Sequence, residues 1–270
     1  MGKRRHNQIY LAQNFLQSPM LVRRLVAKAE LSPNDVVYEI GAGKGIITDE
    51  LAKTAAKVIA IEKDPRLVRR LREYFCAATH VEIIAQDFLK YKISEREYKV
   101  FASIPYNVTA EIVRKLLYEG PSPSVAWLVM QKEAAKKFSG SPAETLFSVL
   151  AKPFFDFQIV ADLRRTDFVP VSKVDSVLLQ IRRRRSPLIE KKDSASYRSF
   201  VRFGFCSWKR HLRAAYKNVF TYKQWKRLSR EVGFPLNATP TDLSFEQWLQ
   251  LYRAFTQMRA ERRGTISKIL

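Results

Sequence analysis

The sequence predicts an α/β protein, a doubly wound sheet followed by a small basic all-helical domain. Three observations lead there. Short runs of β-branched and aromatic residues alternate, from Val36 to Ile181, with segments whose apolar residues recur at helical spacing. A glycine turn, Gly41-Ala42-Gly43-Lys44-Gly45, joins the strongest early strand to a helix. The charge is also uneven: residues 182–270 hold 21 Lys and Arg against 6 Asp and Glu, whereas residues 1–181 hold 27 against 20.

The elements follow in order. Lys3 to His6 is a basic arm, and Gln13-Asn14-Phe15-Leu16 is a polar step into a helix. That helix has Ser18 as N-cap, Pro19 at its first position, and Leu21, Leu25 and Val26 on one face. Val36 to Ile40 reads as a strand, and Ile46, Ile47 and Leu51 as a helix face. A second strand over Val58 to Ile61 ends in Glu62, and Leu67, Leu71 and Phe75 mark the next helix. Val81 to Ala85 is a third strand that runs into Gln86-Asp87-Phe88. Val100 to Ile104 is a fourth, running into Pro105-Tyr106-Asn107. Val108, Ile112, Leu116 and Leu117 form a helix that Gly120-Pro121 ends. Val125 to Met130 is a fifth strand, with helices expected over 132–138 and 144–152. Phe155 to Val160 and Val177 to Ile181 close the sheet around a Phe168-Val169-Pro170 loop.

Four arginines, Arg182 to Arg185, precede Ser186-Pro187, which places the boundary between domains of residues 1–185 and 186–270. Beyond it Tyr197, Phe200, Val201 and Phe205 share a helix face. Aromatics and cations then interleave: Trp208, Lys209, Arg210, Arg213, Lys217, Tyr222, Trp225, Lys226 and Arg227. Most of these aromatics are expected in a core, and the cations are the candidate contacts to a polyanion. Ser244 and Gln247 have capping-box spacing before a helix with Trp248, Leu251, Tyr252 and Phe255.

The chemistry-bearing residues gather at strand ends. Glycines at a strand–helix turn let the backbone approach a ligand, and the helix start offers free N–H groups. Glu62, nineteen residues beyond Gly43, suits the paired hydroxyls of a ribose. Asp87 with Phe88 can hydrogen-bond and stack on a purine, and Pro105 stiffens the exit that presents Tyr106. The reading is a nucleoside-containing cofactor. The spacing Gly-x-Gly-x-Gly is not the dinucleotide fingerprint, and Lys44 is followed by Gly45, which excludes a P-loop. It resembles the first motif of S-adenosylmethionine-dependent methyltransferases.

A formal net charge of +22 points to nucleic acid as partner. No apolar run is long enough to span a membrane and no signal peptide is read, so a cytoplasmic protein without membrane attachment is expected. Cys76 and Cys206 are far apart and His6, His80 and His211 are scattered, so no metal is expected.

Taken together, Gln13-Asn14-Phe15-Leu16, Glu39-Ile40-Gly41-Ala42-Gly43, Ile61-Glu62, Gln86-Asp87-Phe88, Ser103-Ile104-Pro105-Tyr106 and Val174-Asp175-Ser176 resemble one family. It is the ribosomal RNA adenine N6-methyltransferases, which include the erythromycin-resistance (Erm) and KsgA-type enzymes. The likeness spans about residues 10–182 and is looser beyond. The Arg-rich strand end before Pro187-Leu188 and the stretch from Trp208 to Phe220 are more similar to Erm chains. The resemblance implies a Rossmann-like methyltransferase domain and a helical RNA-binding domain. It implies that Asn14, Leu16, Gly41, Glu62, Asp87 and Ser103 contact S-adenosyl-L-methionine, and that Ser103, Ile104, Pro105 and Tyr106 form the target-adenine pocket. It implies a monomer acting on 23S rRNA to give macrolide-type resistance. The alternatives are a KsgA-type small-subunit rRNA dimethyltransferase and a non-catalytic RNA-binding relative; a dehydrogenase is disfavoured by the glycine spacing and the basic charge. The family usually has Asn where this chain has Ser103, which shifts weight to the Ile104 carbonyl, and Ser172 stands where relatives often have proline.

Overall fold

The computed structural model describes residues 15–267. The basic arm at Lys3 to His6 and the candidate cofactor residue Asn14 lie outside the described residues. The chain forms two compact units. One holds the residues up to Ala135 together with Asp156–Arg183, and the other holds Lys136–Phe155 with Arg184 onward.

In chain order the strands are β1 (Phe15–Leu16), β2 (Val36–Ile40), β3 (Lys57–Glu62), β4 (Val81–Ala85), β5 (Lys99–Ser103), β6 (Val125–Gln131), β7 (Phe155–Leu163), β8 (Phe168–Val169) and β9 (Ser176–Arg183). The first unit is built on a seven-stranded sheet in the order β4-β3-β2-β5-β6-β9-β7. β4, β3, β2, β5 and β6 are parallel, and β9 runs antiparallel to β6. The parallel strands read as continuous apolar runs because both faces are covered. Val37, Tyr38, Val58, Ala60, Val100, Phe101, Ala126 and Leu128 are all fully buried. The chain order reverses between β2 and β5, and in open α/β sheets ligands bind at that reversal, beyond the strands' C-terminal ends.

Local signals set the crossovers. Ser18 Oγ accepts the Leu21 N–H at 3.2 Å, capping the helix Pro19–Ala27, and Asp64 caps Pro65–Tyr74 in the same manner. Val22, Leu25 and Val26 of the first helix pack with Ile47 and Leu51 of the helix Ile46–Ala52 against Val37, Phe101 and Trp127.

The Phe168-Val169-Pro170 stretch departs from the sequence expectation of a loop. Phe168–Val169 is the short strand β8, paired antiparallel with β1, so that Leu16 lies opposite Phe168. The partners are some 150 residues apart in sequence, and two residues are too few for periodicity to register. The polar step at Gln13 to Leu16 therefore ends in a strand where the sequence suggests only a helix approach.

The second unit is helical: Leu146–Ala151, Ser194–Cys206, Leu212–Ala215, Tyr222–Val232 and Phe245–Ser267. Its core includes Tyr197, Phe200, Tyr216, Phe220, Trp225, Trp248 and Tyr252, all buried. Phe200 stacks on Tyr216 with ring centroids 4.7 Å apart, and the Tyr216 hydroxyl donates to the Phe200 carbonyl at 2.7 Å. The boundary at 185/186 lies close to the Arg183–Arg184 crossing, but Lys136–Phe155 belongs to this unit rather than the first. Val149 and Leu150 are part of the aromatic core, and the Tyr197 hydroxyl donates to the Val149 carbonyl at 2.8 Å. A boundary drawn at a charge run misses an earlier segment whose apolar residues are completed only by distant helices. The capping box is present: Ser244 N–H donates to Gln247 Oε1 at 2.9 Å, and Gln247 N–H to Ser244 Oγ at 3.3 Å.

Candidate active site

Four neighbouring parallel strands end at the residues singled out in the sequence. β2 runs into Gly41, β3 ends at Glu62, β4 lies two residues before Asp87, and β5 ends at Ser103. Register brings them level, with Ile40 opposite both Ile61 and Ala102, and Glu62 opposite Ala85. A cleft with an empty volume of about 1080 Å³, its open mouth included, runs along these ends. Leu16, Gly41, Glu62, Asp87, Ser103, Ile104, Pro105 and Tyr106 all line it.

The glycine turn is held in shape by Glu62. Gly43 N–H donates to Glu62 Oε2 at 3.0 Å, while Oε1 accepts the N–H groups of Lys63 and Asp64 at 2.8 and 2.9 Å. A carboxylate offers about four acceptor sites, so this buried group keeps capacity for one further donor in the cleft. Gly43 sits at φ +58°, and a Cβ there would come within 2.9 Å of the Phe15 ring. Gly45, at φ +84°, N-caps the following helix and would meet Leu71 at 2.8 Å. The turn is thus confined to glycine by both backbone conformation and space.

Behind the turn lies Glu39, 1% exposed. Its Oε2 accepts the Thr48 hydroxyl at 2.5 Å, and its Oε1 has no hydrogen-bond partner. Burial pushes the carboxyl up to about 8, opposed by the Thr48 hydrogen bond and assisted by the nearby negative charge of Glu62.

The opposite wall comes from the β5 exit. Ile104 is 2% exposed and its N–H donates to the Val129 carbonyl at 3.0 Å, which fixes the peptide beyond Ser103. Pro105 leads into a short 3-10 turn, Tyr106–Val108, whose last N–H returns to the Pro105 carbonyl at 3.2 Å. Tyr106 is half-buried, and its hydroxyl lies 2.8 Å from Ser176 Oγ and 3.2 Å from Ser172 Oγ. Both serines are buried. Asp87, which lines the cleft, accepts the Leu89 N–H on Oδ1 at 3.0 Å. Among the described residues no three His, Cys, Asp or Glu side chains group as metal ligands, and no helix is long and apolar enough to cross a membrane.

Residues 4–257 match the model of the ribosomal RNA adenine dimethylase family. The chain belongs to this family. An rRNA adenine N-6-methyltransferase of Bacteroides fragilis is 30% identical over 97% of this chain and 98% of its own length. The crystal structure of the 23S rRNA methyltransferase ErmE superposes with a TM-score of 0.84 at 32% identity, covering 90% of this chain and all of that one. A ribosomal RNA small subunit methyltransferase A of Thermotoga neapolitana is 32% identical over 90% of this chain and 89% of its own length.

As a member of the rRNA adenine dimethylase family, the chain is an S-adenosylmethionine-dependent rRNA adenine methyltransferase. The cleft suits that cofactor chemically. Carboxylates at Glu62 and Asp87 can meet hydroxyl and amino donors, Ile61, Phe88 and Leu89 offer apolar surface to a flat ring, and the aromatic rings of Phe15 and Tyr106 suit a cationic group. A Cβ at Gly41 would meet nothing within 4 Å, so the backbone there faces open space. The rRNA adenine methyltransferase motifs give no signal for two further cleft residues, Phe168 and Lys44. Phe168 is 1% exposed and joins the cleft only through the β1–β8 pairing. Lys44 lines the cleft with its ammonium 5.5 Å from the Phe15 ring centroid. It lies inside the glycine motif, and its residue type alone carries no signal.

Substituting Gly43→Ala is expected to weaken S-adenosylmethionine binding at least tenfold in titration calorimetry. The strained left-handed conformation costs about 1–3 kcal/mol, and its relief displaces the N–H that reaches Glu62. Gly120→Ala, strained to a similar degree in open space at φ +84°, should lower stability while leaving cofactor affinity unchanged. Equal affinities for the two variants would show that the turn does not carry the cofactor.

Proposed function

We propose that the chain methylates N6 of an adenine in 23S rRNA and thereby gives resistance to macrolide-type antibiotics. The likeness to ErmE along nearly the whole of both chains carries this reading. A KsgA-type small-subunit activity is the second reading, supported by the similarity to the Thermotoga neapolitana enzyme. Transfer of labelled methyl to purified 23S rRNA, 16S rRNA and small subunits, with the modified base identified, separates them. N6-methyladenine in naked 23S rRNA supports the first, and label confined to small subunits overturns it in favour of the second.

S-adenosylmethionine supplies an electrophilic methyl group on a sulfonium centre. The protein has to present a poor nucleophile in the right orientation, since the N6 lone pair is delocalised into the adenine ring. Ser103 Oγ and the Ile104 carbonyl, at the end of β5, are the acceptors assigned to the N6 hydrogens. Holding those N–H groups favours the geometry in which the lone pair leaves the ring plane. A serine hydroxyl reaches less far than an amide, so the Ile104 carbonyl carries more of this role. Tyr106 would stack on the extruded base, and Leu16, Gly41, Glu62, Asp87 and Ser103 would hold the cofactor, a role the resemblance also implies for Asn14. The proton leaves after transfer to solvent or a neighbouring acceptor, so no strong base is needed. Positioning supplies most of the acceleration.

The tyrosine is aimed by its hydroxyl partners. Ser172 Oγ also donates to the Val174 carbonyl at 2.8 Å, and its N–H donates to the Arg165 carbonyl at 3.1 Å, a bond proline could not make. Tyr106→Phe and Ser176→Ala are each expected to lower kcat about three- to tenfold with KM for RNA unchanged. The double variant should lose no more than the worse single one, because both remove the same hydrogen bond. Additive losses in that cycle would separate the serine from the tyrosine.

The arginine run bears on RNA binding less simply than its composition implies. Arg183 donates to both carboxylate oxygens of Glu97 at 2.7 and 2.8 Å, and Arg184 Nε donates to the Lys152 carbonyl at 2.9 Å. Arg182 and Arg185 are exposed. Arg182→Ala with Arg185→Ala should flatten the salt dependence of rRNA binding, by about one unit of log–log slope for each phosphate no longer neutralised. An unaltered slope would make the run a solvated connection with no part in RNA binding.

A further inference from the structure

The helical unit sorts its aromatic residues into two populations. Most are core, but Phe203, Trp208 and Tyr222 are 52%, 85% and 58% exposed. All three fall in the segment 203–222, which also holds Lys209, Arg210, Arg213 and Lys217 and no acidic residue. The cations are placed on the rings: Lys209 Nζ is 3.2 Å from the Trp208 ring centroid, and the Arg213 guanidinium carbon is 5.6 Å from that of Tyr222. Phe203 leans on the buried Tyr216, ring centroids 5.5 Å apart, so its backing is core while its outer face is free.

We propose that this segment is a stacking surface for unpaired nucleotides of the rRNA substrate, with Trp208 as its principal platform and Lys209 and Arg213 on the flanking phosphates. This rests on rRNA being the substrate and adds where, and in what form, it is gripped outside the cleft. The chemistry selects the partner. Single-stranded RNA binds through aromatic faces set among cations, because each base has a π-face and each linkage a negative charge. Paired RNA offers no free base face and is held by its backbone. A protein partner fits poorly, since the centres of protein interfaces are depleted in lysine.

The test uses the full chain. Trp127, Trp225 and Trp248 are at most 2% exposed, so quenching of tryptophan fluorescence by iodide reports on Trp208. Binding is measured to an unpaired RNA oligonucleotide and to a duplex of the same sequence. RNA should shield Trp208 from iodide, and Trp208→Ala should weaken unpaired-RNA binding about tenfold, with duplex binding and the salt slope unchanged. Trp208→Phe should restore most of the loss. Lys209→Ala with Arg213→Ala should instead flatten the slope. Equal losses on both RNAs, no protection from iodide, or full affinity in Trp208→Ala would each overturn the surface. Methyl transfer by the unmodified chain is read in parallel, so a wrong substrate assignment shows as absent transfer whatever Trp208 does.

Discussion

Tyr106→Ala should lower the rate of methyl transfer at least about a hundredfold while rRNA affinity changes by no more than about threefold. The residue lines the cleft directly after Ser103-Ile104-Pro105, at the exit of β5. Its ring is held from two sides: the Ile104 peptide is tied to β6 through Val129, and the hydroxyl is tied to Ser176 at 2.8 Å. Alanine removes the wall and the stacking face together. The base then samples orientations in which its N6 hydrogens miss Ser103 and the Ile104 carbonyl, and an error of about 1 Å in such alignment costs on the order of 10²-fold. Affinity survives because phosphate contacts supply most of it. Single-turnover methyl incorporation beside an RNA-binding titration checks both halves, with a melting curve to show that the variant folds. Unchanged turnover would remove the pocket from this strand exit.

Glu39→Gln should stabilise the free protein by roughly a few kcal/mol at pH 8–9 and by much less at pH 5. The folded carboxyl is raised to about 8 by burial, whereas an unfolded one titrates in the ordinary carboxylate range near 4.5. Between those values the native state holds a proton that the unfolded state has released. Stability therefore falls as pH rises from about 4.5 to about 8 and levels off above, once both states are ionised. Glutamine is neutral throughout and can still accept the Thr48 hydroxyl, so the variant loses this slope. Urea unfolding at pH 5, 7 and 9 measures it, and parallel pH profiles for the two proteins would show that Glu39 is not held neutral in the fold. Nothing in the residue pattern signals this, since Glu39 sits in a motif read for its glycines; only its enclosure behind the turn makes its charge costly.

The elements and most residues of the cleft are legible in the amino-acid order alone, because both depend on short-range patterns. Alternating strand and helix periods place Gly41, Glu62, Asp87 and Ser103 at strand ends, and parallel pairing then must bring strand ends to one edge. The caps at Ser18 and Ser244 are legible for the same reason, since a cap spans four residues. Whatever depends on distant partners emerges only when the chain is packed. Phe15 and Phe168 reach the cleft through a two-residue pairing with no periodic signature. Residues 136–155 join the helical unit because Val149 and Leu150 find their apolar partners some fifty residues later. The arginine run divides into paired and exposed members only once Glu97 and the Lys152 carbonyl are in place. The same holds for the aromatics of the last third: composition cannot tell Trp225, enclosed by Phe220 and Phe234, from the exposed Trp208, because burial belongs to the packed core and not to the residue.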